Sequence, residues 1–285
     1  MSGFELTLRR GITGRVDARG IRLADLVRQS PESAARTELS VEGQPVPLGD
    51  LLTFRRLSGE RLRLVLVGDF ATFDALAYDH DAGEFRVVGD VGHHAAAAMT
   101  GGRLIVEGDA GDFTAAPVGP RRTGLRGGRV VITGSCGDHT AHRMRRGELF
   151  VEGDCGRFVA AHQVAGTVVV AGRVGPHAAY GIRRGTLIVQ SWPRRDDPRF
   201  SPPDTMRSTY PALLHRSLGD IGRLCPAVGD LIGRLAEGPA ESVRGDAAVA
   251  GQAEILTPGR ATLKAEPSPP ASRGPESRRS LPPAD

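Results

Sequence analysis

Histidine is the side chain in this sequence with the broadest chemistry, because imidazole binds metal ions and exchanges protons near neutral pH. Among the eight histidines, three alternate with phenylalanine at steps of 19 or 26 residues, in the order His94, Phe113, His139, Phe158 and His177. If equivalent residues stack at the spacing of neighbouring strands, about 4.8 Å, successive histidines stand roughly 10 Å apart. Because the ligands of one zinc ion lie about 2.0–2.1 Å from it, the series predicts an alternating aromatic stack and no metal site.

Two smaller groups also carry reactive atoms. His139 and His142 are three residues apart and form a candidate pair. Cys136 and Cys155 occupy one position of neighbouring repeats, where other repeats carry valine or alanine, so we expect buried, unreactive thiols. A separation near 5 Å would permit a disulfide, but the cytosolic location predicted for the chain argues against one.

Acidic side chains recur at one position of the repeat, directly after a glycine, at Asp69, Asp90, Asp109 and Asp154. A column of carboxylates could hold calcium or act on carbohydrate, which gives one alternative function. A serine and an arginine interrupt the column, and this weakens the alternative.

Arginines collect along one predicted edge of the repeat, at Arg126, Arg145, Arg146, Arg183 and Arg184. One interpretation is a solvated edge. The other is an electrostatic contact with an acidic subunit or a polyanionic ligand. These five arginines are the candidate binding residues of the chain.

The sequence predicts no catalytic residue and no metal ligand in this chain. It contains no GxSxG, Walker, HExxH or CxxC motif. Alanine recurs seven residues after successive glycines, and such a column predicts a flat face suited to packing against another protein. The alanines of this column are Ala96, Ala115, Ala141, Ala160 and Ala179.

One internal repeat positions all these residues. Each unit is a short apolar run that ends at a glycine, and within it the residues four and two places before the glycine are always apolar, as in Leu149 and Val151. That period of two is typical of a short strand with one buried face. Most units are 19 residues apart, and the longest step contains a seven-residue insertion at 117–123. The marker glycines are Gly68, Gly89, Gly108, Gly134, Gly153 and Gly172.

The repeat predicts a mainly β fold: a single-stranded, right-handed parallel β-helix with about 19 residues per coil, an N-terminal cap and a C-terminal helix. We expect a cap over 1–59, the β-helix over 60–192, a helical segment packed on it over 193–257, and a disordered tail over 258–285. The residues that carry the helical spacing are Tyr210, Leu213, Leu214, Ile221, Leu224 and Cys225.

Composition limits the partners. The net charge is +4 with 38 glycines, and no basic helix or RNA-binding motif supports nucleic-acid binding. No apolar run approaches the roughly 18 residues of a membrane span, and the N-terminus shows no apolar signal segment. We therefore expect a cytoplasmic protein that binds neither nucleic acid nor membrane.

Three stretches resemble the C subunit of formylmethanofuran dehydrogenase. They are GDVGHHAAAAMTGGRLIVEGDAGDF, RRTGLRGGRVVITGSCGDH and LFVEGDCGRFVAAHQVAGTVVVAGRVG. The later segment VRGDAAVAGQAEIL, Val243 to Leu256, is similar to the end of the bacterial C subunits. The glycine-rich coil also resembles the C-terminal β-helical domain of glutamate synthase.

The resemblance implies a non-catalytic scaffold subunit of a formylmethanofuran dehydrogenase-like, oxidoreductase complex or of a formyltransferase/hydrolase complex, in tetrahydromethanopterin-linked one-carbon metabolism. In the bacterial formyltransferase/hydrolase complex, a formyl group passes to a methanofuran analogue and formate is released. The implied partners are formyltransferase and amidohydrolase-like subunits. Methanofuran, tetrahydromethanopterin, and zinc or molybdenum/tungsten would be handled by the complex, with no cofactor bound by this chain alone. A glutamate-synthase-like structural domain and, less favoured, a carbohydrate-active β-helix are the alternatives.

Overall fold

Short strands joined by turns carry most of the chain. The computed structural model describes residues 3–9, 11–194 and 196–259. The strands are β1 Gly3–Leu8, β2 Val16–Asp17, β3 Glu38–Val41, β4 Gln44–Pro47, β5 Leu52–Leu57, β6 Arg63–Val67, β7 Phe73–Asp74, β8 Glu84–Val88, β9 Arg103–Glu107, β10 Arg126–Ile132, β11 Arg146–Val151, β12 Thr167–Val170, β13 Thr186–Val189, β14 Asp204–Met206, β15 Ala240–Gly245 and β16 Ala253–Pro258. The α-helices are α1 Leu23–Leu26, α2 Pro31–Ala34, α3 Leu48–Leu51, α4 Tyr210–Ser217, α5 Ile221–Leu224 and α6 Pro226–Glu237.

Twelve of these strands form one open mixed sheet in the order β14-β15-β16-β13-β12-β11-β10-β9-β8-β6-β1-β5. The strands from β1 to β16 in this order pair in parallel. At the two ends of the sheet, β5, β15 and β14 pair antiparallel with their neighbours. A second sheet of four strands, β4-β3-β2-β7, lies in the N-terminal part.

The period of two in the sequence sets the register of the parallel strands. Leu149 of β11 pairs with Val168 of β12, which pairs in turn with Leu187 of β13, at steps of 19 residues. All three are completely buried in the main core. The intervening Phe150 and its equivalents in β10, β12 and β13 point to the opposite face and are equally buried, against the C-terminal helices.

The predicted β-helix is wrong. The structure forms an open 12-stranded mixed sheet with a separate four-stranded sheet and six α-helices among the described residues. Each 19-residue repeat contributes one strand to the large sheet, and the rest of it consists of turns joined to the next repeat by isolated bridges. The apolar period identified the strands but carried no signal for the antiparallel strands at either end, nor for the three helices where one was predicted.

Glycine is required where neighbouring repeats approach most closely. A Cβ on Gly172 would lie 2.5 Å from backbone atoms of Gly153, which is too close for any side chain. Gly185, thirteen residues later, has φ of 96°, in the left-handed region that glycine adopts without strain. These two requirements explain why glycine recurs at fixed places in the repeat.

The insertion at 117–123 leaves the register of the repeat intact. Although 26 residues separate the two positions, the Ser135 amide donates to the Asp109 carboxylate at 2.7 Å, and the Asp138 amide donates to the Asp112 carboxylate at 2.7 Å. The equivalent contact one repeat later, from the Arg157 amide to the Asp138 carboxylate, has the same length across 19 residues. The extra residues are therefore accommodated outside the stacked part of the repeat.

The helices α4 to α6 pack on the outer face of the large sheet. Helix α6 is amphipathic and buries Val228, Leu231, Ile232 and Leu235, the i, i+3, i+4, i+7 pattern of a helix with one apolar face. Polar contacts join the helices to the strands. Glu152 accepts hydrogen bonds from the first amides of α6, Arg103 pairs with an aspartate at 2.8 Å, and Arg129 donates to a carbonyl of α4.

The division of the chain into a cap, a repeat region, a helical segment and a tail remains a prediction. Pro258 is the last residue of β16 and is buried. From residue 260 onward, the predicted tail lies outside the described residues.

Candidate functional site: a ladder of rings beside an arginine edge

The predicted aromatic stack is present. Four successive contacts join the five rings, with centroid separations of 5.0, 4.8, 4.9 and 4.7 Å from His94 to His177. In the two central contacts, the ring plane of His139 is within 1° of the ring planes of Phe113 and Phe158. The series is a stack of rings, as its alternating composition predicted.

The backbone that holds these rings is left-handed, which the sequence did not predict. All five ring residues have φ between 58° and 61°, a region that bulky residues rarely occupy. Residues held in such conformations are maintained by the surrounding structure and often lie at functional sites. The rings therefore owe their positions to the tight turns after each strand.

A second row of rings lies beside the ladder. His142 packs edge-on against His139 at 5.7 Å and against His162 at 5.4 Å, and His162 packs edge-on against Tyr180 at 5.5 Å. Tyr180 is 40% exposed and is one of the few large hydrophobic side chains at the surface. The predicted pair of His139 and His142 is thus an aromatic contact within a larger group.

Arginines surround the second row and affect its protonation. Burial, followed by His162, Arg143 and His139, lowers the pKa of His142 to about 4. Burial also lowers the pKa of His162, with further lowering by Arg143 and Arg183. Both imidazoles are therefore neutral at pH 7.

The insertion contacts the first ring of the ladder and a tyrosine outside the ladder. Arg121, within the insertion, lies over the ring of Tyr78 at 5.3 Å, and the backbone of Pro117 accepts a hydrogen bond from His94. Buried Nδ1 atoms of His94, His139 and His142 have no hydrogen-bond partner. Since a buried N–H without an acceptor is costly, each of these rings carries its N–H on Nε2.

The aspartate column has a structural role. Carboxylate oxygens of Asp90, Asp109 and Asp154 each accept the backbone N–H one repeat further on, at 2.7 Å. The serine that interrupts the column does the same with its hydroxyl at 3.1 Å. A second, parallel series, which sequence reasoning missed, runs through Asp74, His93, Asp112 and Asp138. These carboxylates hold neighbouring repeats together, so they do not favour carbohydrate chemistry.

The predicted alanine face is wrong. All five alanines of the column have no exposed surface. Their φ values, between 56° and 61°, match those of the ring residues two positions earlier. The left-handed turn directs the ring to the surface and the alanine methyl into the core, so the column fills the interior and cannot contact another protein.

The five predicted arginines lie on one exposed edge. Arg126 of β10 is the strand partner of Arg146 of β11. The amide of Arg145 donates to the carbonyl of Leu125, and the side chains of all five arginines are exposed. Within the described part of the chain none of the five pairs with a carboxylate. Arg183 also faces the second ring row, and Arg184 follows it. The structure thus brings this edge and the rings together.

The three cysteines are free and buried. Cys136 and Cys155 are bridge partners in neighbouring repeats. A hydrogen bond with Cys136, together with burial, raises the pKa of the Cys155 thiol, and burial raises the pKa of Cys225 to about 12. Across residues 3–9, 11–194 and 196–259, no three His, Cys, Asp or Glu side chains converge as metal ligands. Within the same ranges, no helix is both long and apolar enough to cross a bilayer.

One buried carboxylate was not predicted from the sequence. Asp246 is 1% exposed and accepts amides of Gly181 at 3.0 Å and Ala248 at 2.9 Å, while Arg199 lies 3.6 Å away. It lies in the late segment that carried the family resemblance, where it fastens the turn before β16 to the last repeat. An aspartate between small residues in the sequence gave no sign of this burial.

A solved structure is similar to the whole fold. It is the X-ray crystal structure of the formyltransferase/hydrolase complex (FhcABCD) from Methylorubrum extorquens in complex with methylofuran. One chain of it is 32% identical to this chain with a TM-score of 0.74, and the match covers 90% of this chain and 100% of that one. The chain belongs to the family of that chain of the formyltransferase/hydrolase complex. No protein-family model matches the sequence, and neither does any curated protein.

Membership of the formyltransferase/hydrolase family agrees with the predicted resemblance at the level of the complex. The relation to glutamate synthase remains a prediction, and so does the choice of the C subunit among the members of the complex. The Methylorubrum extorquens complex has several subunits and binds methylofuran.

Proposed function

We propose that this chain is the C subunit of a formyltransferase/hydrolase complex and acts as a non-catalytic scaffold. The observation that carries the proposal is the match to a chain of the Methylorubrum extorquens complex over 90% of the sequence. The partners are formyltransferase and amidohydrolase-like subunits in the cytoplasm. Those partners carry out formyl transfer to a methanofuran analogue and release of formate, and they hold the pterin and metal sites.

The chemistry of the described side chains supports a structural role. Carboxylates that could act as acids or bases, such as Asp90 and Asp109, are engaged with backbone amides of the next repeat. The thiols are buried, and the imidazoles of His139 and His142 are packed against other rings. Each of these groups stabilises the repeat.

The arginine edge is the proposed binding element of the chain. Arg126, Arg145, Arg146, Arg183 and Arg184 are exposed and without carboxylate partners among the residues described. A row of unpaired guanidinium groups attracts carboxylates from solution or from a neighbouring protein. We assign to it contact with an acidic partner or with the anionic tail of the furan coenzyme.

Affinity purification of the tagged chain from its own cells tests the scaffold. Formyltransferase and amidohydrolase-like subunits are expected to co-purify, and the preparation is expected to transfer the formyl group and release formate. Deleting the gene is expected to abolish both the assembly and its activity. A chain that purifies alone, or a deletion that leaves turnover unchanged, would contradict the scaffold role.

Charge reversal tests the edge. Changing Arg145, Arg146, Arg183 and Arg184 to Glu is expected to lower complex yield or coenzyme retention at least tenfold. The matched control reverses four exposed arginines away from the edge, and it is expected to have little effect. Equal yields for the two variants would reject the role of the edge. The control arginines are Arg28, Arg36, Arg61 and Arg216.

A further inference from the structure

The part of the ladder that follows the insertion and the second row of rings form one surface. We call it the ring ridge and define it as the six rings that lie beyond the insertion. Each ring of the ridge contacts at least one other ring of the ridge at 4.7 to 6.1 Å. The residues of the ring ridge are His139, His142, Phe158, His162, His177 and Tyr180.

Stacking determines which atoms the ridge presents. His139 and Phe158 are stacked between two rings each, and His177 is stacked on Phe158 through one face, so these stacked rings present mainly their edges to the surface. The edge of an aromatic ring is its electropositive rim. With Nδ1 of His139 and His142 buried, the outward nitrogen is the Nε2 donor. The ridge therefore offers positive edges and N–H groups, which suit carboxylate oxygens.

Arginines near the ridge strengthen its preference for carboxylates. The Arg143 amide donates to the Ala161 carbonyl and the Arg183 amide to the Gln163 carbonyl, both at 2.9 Å, so the two arginines flank His162 from the repeats on either side. Neither is paired with a carboxylate within the described ranges. Arg157 lies over Phe158 at 5.7 Å, and Arg199 over Tyr180 at 5.1 Å. Arg199 is paired with two aspartates, so Arg143, Arg157 and Arg183 supply the positive charge without a carboxylate partner among the described residues.

The shape of the ridge selects a chain over a compact ligand. Its rings continue a ladder of four steps of 4.7 to 5.0 Å. An extended peptide rises about 3.3 Å per residue, so about six residues span the full ladder and three or four span the part beyond the insertion. Pro117 of the insertion, a polypeptide segment, already contacts His94 at the first ring of the ladder.

We propose that the ring ridge, with Arg143 and Arg183, is a docking surface for an extended segment rich in glutamate or aspartate from a partner polypeptide. The inference rests on the proposed function only in identifying that partner as another member of the complex. It differs from the arginine edge in relying on ring edges and imidazole donors, with Arg183 as the shared residue.

A fluorescent α-linked hexaglutamate peptide is the probe. Fluorescence anisotropy with the purified full chain is expected to show saturable binding, weakened at least tenfold by Arg143→Gln with Arg183→Gln. The control, Arg36→Gln with Arg216→Gln, removes the same charge from exposed sites elsewhere and is expected to change the Kd less than twofold. Thermal melts establish that both variants fold. Absence of saturable binding, or equal weakening by both variants, overturns the inference.

Chemical labelling locates the peptide. Diethyl pyrocarbonate acylates accessible imidazole, so bound peptide is expected to protect His162 and His177 while leaving His215, exposed on α4, unchanged. Equal protection of His215 overturns the assignment to the ridge. A γ-linked hexaglutamate that binds more tightly than the α-linked peptide also overturns it, because the occupant would then not be a polypeptide.

Assembly separates this inference from the proposed function. If the wild-type chain assembles in its own cells and the Arg143→Gln, Arg183→Gln chain assembles equally well, the docking surface is rejected and the scaffold role stands. If the wild-type chain binds the peptide but joins no complex, the ridge stands as an acidic-peptide site and the scaffold role is rejected.

Discussion

The strand side and the turn side of the repeat differ in what packs on them. On the strand side, the outward column of Phe150 and its equivalents is sealed by helices α4 to α6 from the same chain. On the turn side, the equivalent column is a ladder of rings that the insertion contacts at the first ring, His94. Both columns repeat with the same period, yet the first is mostly aliphatic and buried, whereas the second consists of rings that are partly or fully exposed.

This difference shows how one repeat can serve stability and recognition together. Aliphatic side chains and Phe150 gain stability in proportion to the area removed from water, so they need a permanent cover. Stacked rings bury their faces against each other and keep polar edges that tolerate water. The turn side can therefore remain exposed to water at little cost in hydrophobic stabilisation.

Truncating a phenylalanine on each side gives the largest contrast. Phe150→Ala is expected to lower the free energy of unfolding by about 3–5 kcal/mol, because it leaves a cavity between the sheet and the helices. Phe158→Ala, on the ring side, is expected to cost about 1–2 kcal/mol, since its ring is partly solvated and loses mainly stacking. Urea denaturation of both variants measures the difference. Equal costs would mean that the ring side is as tightly closed as the strand side.

Glu152 tests how the helical cover is fixed. Its two carboxylate oxygens accept the amides of Ala227 and Val228 at 2.8 and 3.0 Å, at the positive end of α6. Glu152→Gln is expected to cost about 1–2 kcal/mol, because a charged acceptor is replaced by a neutral one and an amide is left without its partner. Thermal unfolding measures the loss. Glu237→Gln, exposed at the other end of α6, serves as control, and a similar shift there would contradict the assignment.

The ring side is expected to impose a pH dependence. The pKa of His142 is lowered from 6.5 to about 4 in the folded chain. The unfolded chain therefore binds the proton first, so this contribution to stability is complete above pH 6.5 and is lost as the pH falls to about 4. Because the ring is partly solvated, about 1 kcal/mol is expected.

Comparison with His142→Gln isolates that contribution. The difference in unfolding free energy between the two proteins is expected to change between pH 7 and pH 4, while titrations common to both cancel. The exposed His215→Gln variant provides the matched control. A difference that stays constant with pH would show that His142 is protonated as easily in the folded chain as in the unfolded one.

The interior between the two sides is expected to give no reaction at all. Cys136, Cys155 and Cys225 are buried, so a maleimide is expected to label none of them rapidly in the native protein and all three in denaturant. Mass spectrometry counts the added groups. Rapid native labelling of Cys136 or Cys155 would show that the turns open, whereas labelling of Cys225 would show that the helices lift from the sheet.

Sequence reasoning succeeded where side-chain identity and spacing determine the outcome. Alternation of His and Phe predicted the ring stack, and small residues at the positions equivalent to Cys136 predicted buried thiols. It failed where backbone conformation decides. Nothing in the spacing showed that bulky residues such as His139 adopt left-handed φ, and without that fact the direction of the alanine column could not be deduced.

The sheet topology and the packing of the helices on the sheet could not be predicted, because both depend on contacts between residues far apart in sequence. Strand β16 joins β13 although 63 residues separate the end of one from the start of the other, and no local pattern records that contact. Helix α6 lies inside the helical segment expected over 193–257, but the helical spacing was recognised only from Tyr210 to Cys225, so α6 itself was not identified. Asp246 was overlooked for the same reason, since its partners lie 65 residues away at Gly181 and beside Arg199.

At the insertion, the length of the loop does not affect the register of the stacked repeats. The aspartate contacts bridge it with the same 2.7 Å as ordinary repeats, and Gly119 within it has open space around its Cα. Doubling a loop costs only about 0.6 kcal/mol in closure entropy. Evolution can therefore vary this loop to suit different partners, and an engineer can graft an epitope or a reporter peptide there, without rewriting the repeat.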